Sequence, residues 1–147
     1  MKMYSEDRPE SLELLNPVVM GSHTKVINVG VRTATEEELA EIAASLGEST
    51  VTSELRQRNR YAYYSTSLTP MNWNRNAIIA AIVKARYDAD SMDAVRANYD
   101  RVRDGYTGEK ADEYRREYFD MQDWRDMAKE WASNADIYLR QALQRKQ

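Results

Sequence analysis

The chain of 147 residues has no cysteine, one histidine, one phenylalanine, three prolines and five glycines. Without Cys there is no disulfide scaffold, thiolate zinc site, iron–sulfur cluster or Cys nucleophile. No window approaches 18 apolar residues, so no transmembrane helix is expected. The opening segment, MKMYSEDRPESLELL, is acidic and lacks an apolar h-region, so it is not read as a signal peptide. Leu, Ile, Val and Phe together number only 25, or 17% of the chain. That is below the ~20% at which disorder becomes a concern, but disorder also requires a high net charge, and here the net charge is −3.

Ten Tyr, three Trp and seven Met make up the apolar shortfall. Tyr and Trp bury large areas while keeping a polar handle, and both are enriched at interfaces. The composition predicts a modest core, completed against partner subunits. Charge is uneven along the chain: residues 1–48 carry a net −5, residues 49–104 a net +3 and residues 105–147 a net −1. The acidic N-terminal third and the basic middle could pair within the chain or head to tail with a neighbour, or simply decorate solvated faces.

Residues 1–24 hold Pro9, Pro17, Gly21 and one short apolar cluster, Leu12, Leu14 and Leu15, which reads as an extended arm. Residues 25–71 come next. Lys25–Arg32 is rich in β-branched residues and predicts a short strand. Thr33 or Thr35 then caps a helix with Glu36, Glu37 and Glu38 in its first turn and Leu39, Ile42, Ala43 and Leu46 as its stripe, stopped by Gly47. Residues 50–68 are ambiguous, with helical character early and strand composition over Tyr61–Leu68.

Residues 72–147 read as a helical domain. Asn72 or Asn74 caps a helix to Tyr87, and Asp90 or Ser91 caps one ended by Gly105. A long aromatic and Ala-rich stripe starts near Glu109, with a weak point at Ser133-Asn134. The expected fold is therefore mainly α: a small domain of three or more helices, an extended N-terminal arm and at most a short β element.

Catalytic chemistry finds no foothold. His23, the lone imidazole, sits in the arm without an evident partner. Asp88-Ala-Asp90-Ser-Met-Asp93 fails as a calcium loop, because its fifth, sixth and twelfth places hold Met92, Asp93 and Tyr99. Gly105-Tyr-Thr-Gly108 lacks the three-stranded sheet that an RNA-clamping GXXG loop needs, and two helix-punctuating glycines explain it better. No P-loop, dinucleotide fingerprint, HExxH or GxSxG occurs, so no catalytic residue, metal site or cofactor is assigned.

One cluster carries weight: Arg56, Arg58, Arg60, Tyr61, Tyr63 and Tyr64, followed by Trp73 and Arg75. Arg, Tyr and Trp dominate protein hot spots, and the same mixture also suits a single-stranded nucleic-acid groove. The acidic total favours protein subunits as partners over nucleic acid. Trp124 and Trp131 of the long stripe join the interface candidates as a subunit-facing seam, beside the plainer reading of an ordinary packed helix.

From residue 77 to about 132, AIIAAIVKARYDADSMDAVRANY, a spacer and DEYRREYFDMQDWRDMAKEWA resemble a small helical module of virion-associated proteins from tailed bacteriophages of gut Bacteroides-type hosts. The matching positions are Arg86, Tyr87, Asp90, Asp93, Ala94, Tyr99, Glu113, Tyr114, Tyr118, Trp124, Ala128 and Lys129. The module often has Ser or Thr after Arg-Tyr, where this chain has Asp88. The resemblance implies a non-enzymatic structural or accessory subunit of a phage head or tail. Such a subunit resides in the virion, or in host cytoplasm during assembly. A small regulator binding nucleic acid through Arg56–Arg75 is the alternative.

Overall fold

Four strands form one antiparallel sheet in the computed structural model, which describes residues 1–19 and 22–146. They are β1 (Lys2–Ser5), β2 (Leu12–Val19), β3 (Ser22–Thr33) and β4 (Tyr61–Leu68), in the spatial order β1-β4-β3-β2. Helices α1 (Glu36–Ser45) and α2 (Ser53–Arg58) link β3 to β4, and a 3-10 turn (Pro70–Asn72) follows β4. Helices α3 (Arg75–Arg86), α4 (Ala89–Arg103), α5 (Ala111–Ser133) and α6 (Ala135–Lys146) complete the chain.

This is an α+β fold, which corrects the expectation of a mainly α domain with at most a short β element. The stretch expected as an arm supplies β1, β2 and the first residues of β3; its Gly21 lies outside the described residues. Leu12 and Leu14, two apart, belong to a strand. Both point to one face, opposite Ile27 and Lys25 of β3. Residues 50–68 divide into α2 and β4.

Strand register decides what each side chain meets. Leu12, Leu14, Ile27, Val29 and Tyr64 share a face and pack with Ile78, Ile82 and Val83 of α3 and with Trp124, Ala128 and Trp131 of α5. Ala132 of α5 and Ala135 and Ala142 of α6 belong to the same core. These alanines carry little bulk, which lets the helices approach closely. A smaller cluster on the same sheet face joins Ala62 and Tyr4 to Leu39, Ile42 and Ala43 of α1 and Leu55 of α2. Residues 72–147 therefore bury their apolar stripes against the sheet rather than only against one another.

Caps set the helix starts. The Glu38 N–H donates to Thr35 Oγ1 while Thr35 N–H donates to the Glu38 carboxylate, a complete capping box. Asn74 caps α3. Asp88, not Asp90 or Ser91, caps α4, accepting from Ser91 N–H at 2.7 Å. Gly30, at φ +65, supplies the extra residue where three steps of β3 oppose two of β4. A Cβ at Gly30 would lie 2.8 Å from the Trp124 ring, so both conformation and space require glycine there.

Candidate interaction surface

The structure separates the predicted interface residues into three places. Arg56 and Arg58 project from α2, which Thr52 caps and buried Leu55 pins. Arg56 makes a two-pronged contact with Glu36 of α1, and Arg58 pairs with Glu54 at 2.6 Å one turn away. The Arg60 guanidinium lies 5.3 Å from the Tyr61 ring centroid. Thr33, Ala34, Glu36, Leu39, Arg56 and Arg60 line an open groove of about 380 Å³ between these elements.

Alternation along β4 parts the tyrosines. Tyr64 faces the helices, 5.1 Å edge-on to Trp124. Tyr61 and Tyr63 face the other way, opposite Ser5 and Met3 of β1. Tyr63 thus belongs to a sheet face it shares with Met3, Val26, Ser65 and Ser67. None of these belongs to either core cluster, and Met3 is 38% exposed. At its centre, buried Asn28 donates to the Glu10 carbonyl at 2.9 Å, so the β1–β2 connection closes over that point.

Trp124 and Trp131 are buried in the main core, as the plainer reading of an ordinary packed helix expects. The Trp124 indole N–H donates to the Ile82 carbonyl at 2.9 Å, and Trp131 meets Trp73 edge-on at 6.3 Å. Lys25 Nζ sits 5.2 Å from the Trp73 ring centroid, and burial lowers its pKa. Arg75 is exposed at the start of α3.

Two clusters escaped the sequence reading. Buried Glu38 accepts both guanidinium nitrogens of Arg32 at 2.6 and 2.9 Å, pairs with Lys2, and accepts from Thr35 N–H and Tyr4 Oη. The Arg32 guanidinium, opposed by burial and then helped by Lys2 and the Thr35 N–H, holds its carboxyl far below the usual carboxylate range. The T-x-x-E spacing was the available signal for its place in a cap, but its cationic partners come from β1 and β3. Arg86 lies over three rings, Trp124 at 5.0 Å, Tyr87 at 5.1 Å and Tyr64 at 5.7 Å.

No group of three metal-ligating side chains occurs among the described residues, and none of their helices is long and apolar enough to cross a membrane. No family model, curated protein or solved structure matches this chain. The geometry therefore stands alone. Among the described residues it offers packing surfaces and ion pairs.

Proposed function

We propose that this chain is a non-enzymatic structural or accessory subunit of a larger assembly, and that the assembly is a tailed-phage particle, as the module resemblance of residues 77–132 implies. One observation carries the assembly role: the helices pack on a single face of the sheet, leaving Met3, Val26 and Tyr63 on the other. A half-covered sheet of this composition is suited to burial against a neighbour, because Tyr supplies large contact area at small entropic cost. Its edge strands β1 and β2 also each have one ladder free for β-augmentation. The nucleic-acid alternative has less support, since carboxylates already engage Arg56 and Arg58.

Hydroxyl-radical footprinting tests the proposal on the free chain and on gradient-purified particles. Met3 and Tyr63 should lose most of their labelling in the particle. Equal labelling in both states would remove the sheet face as the docking surface. Absence of the chain from purified particles would overturn the virion role.

A further inference from the structure

A groove of about 440 Å³ lies between α3, α4 and α5. Its floor is apolar, built by Ile79, Val83, Tyr87 and Met92, and Lys84, Arg96 and Arg125 stand at its rim. No carboxylate lines it. Arg96 reaches its nearest ion-pair partner, Asp93, only at 3.9 Å, and neither Lys84 nor Arg125 forms an ion pair among the described residues. The site therefore presents a hydrophobic hole with three cations at its mouth, two of them without an ion pair among the described residues.

The same chain carries a matching projection. Phe119, its only phenylalanine, is 53% exposed on α5. Tyr99 and Tyr118 stack at 3.9 Å with planes 6° apart, and both meet the Phe119 ring edge-on, at 5.9 and 5.7 Å. That support holds the ring in place from one side, so little freedom remains to be lost when the other side is covered. Asp123 and Asp126, four and seven residues on, share its helix face and are exposed, with no ion pair among the described residues.

We propose that a second copy of this chain seats Phe119 in the groove between α3, α4 and α5, with Asp123 and Asp126 facing Lys84, Arg96 and Arg125. The pairing matches an apolar ring to an apolar floor and two unpaired carboxylates to three cations. In a reciprocal, two-fold contact each copy's Phe119 enters the other copy's groove. The inference rests on the assembly-subunit role and names one of its contacts, separate from the open sheet face.

Sedimentation velocity of the full chain over a concentration series tests it, with circular dichroism to confirm that each variant is folded. The wild type should dimerise, more weakly at about 0.5 M salt than at low salt, because the rim charges are screened. Phe119→Ala should weaken the dimer at least about tenfold, as loss of a central aromatic anchor does. Asp123→Lys with Asp126→Lys should weaken it too, as should Lys84→Glu with Arg96→Glu. All four changes together should restore it, which only direct pairing explains. A wild type that stays monomeric up to roughly 1 mM, a dimer indifferent to Phe119→Ala, or a failure of the fourfold variant to recover would each overturn the proposal. None of these outcomes alters the protection expected of Met3 and Tyr63 in particles, so the two ideas fail separately.

Discussion

Glu38 receives the guanidinium of Arg32, the ammonium of Lys2, the hydroxyl of Tyr4 and the N–H of Thr35 while contributing to the cap of its own helix. Its folded pKa lies below the unfolded value of about 4.3, so the stability it contributes is fully present above that pH. The contribution is lost as pH falls below about 4 toward the depressed folded pKa. Glu38→Gln should therefore destabilise the protein at pH 7, by roughly 1–2 kcal/mol, because it removes the buried anion shared by the partly exposed Arg32 and Lys2. The difference between variant and wild type should shrink steadily as pH falls below about 4, because the ionised wild-type carboxyl then loses its advantage over the unfolded chain. Urea titrations of both proteins across that range check it; a gap independent of pH would contradict the ionised role of Glu38. The cap half of this cluster could be read from the Thr35-x-x-Glu38 spacing alone, since it is local. The cationic half could not, because Lys2 and Arg32 reach Glu38 only after β1 and β3 have joined β4.

At the scale of elements, the helices were legible and half of the sheet was not. A helix announces itself through caps and a stripe of period 3.6, as Asn74 with Ile78 and Ile82 shows. β1 spans four residues, too few for a periodic signal, and β2 contains Pro17, which reads as a break. The bend of β3 depends on Gly30, whose left-handed backbone and contact with Trp124 place the bulge under α5. Gly30→Ala should lower stability by roughly 2–4 kcal/mol, combining the cost of a left-handed non-glycine residue with overpacking against the indole. Denaturant unfolding followed by tryptophan fluorescence measures both the loss and the displaced ring. A midpoint unchanged from wild type would mean that the bulge relaxes freely.

For the whole molecule, one principal core ties the N-terminal strands to the C-terminal helices. Leu12, Leu14, Ile27 and Val29 fill it from the sheet, and Trp124, Ala128 and Trp131 from α5. A fragment of residues 72–147 alone should consequently remain helical in part but show no cooperative thermal transition, because the partner of its apolar stripe is missing. Adding a separate fragment of residues 1–71 should restore cooperativity; a sharp melt by the C-terminal fragment on its own would separate the two halves into independent units. By itself the sequence determined what local chemistry can encode: the α1 and α3 caps, the stripe of α5, the break at Ser133-Asn134 and the lack of a recognisable catalytic motif. Only the tertiary structure decided that Trp124 and Trp131 are core, that Tyr63 and Tyr64 part company, that Phe119 stays exposed and that a basic-rimmed groove opens between α3, α4 and α5. The physical reason is range. A cap or a stripe is settled within a few residues, whereas strand register depends on pairings some sixty residues apart, such as Lys2 with Tyr64, and burial on contacts more than a hundred apart, such as β2 with α6.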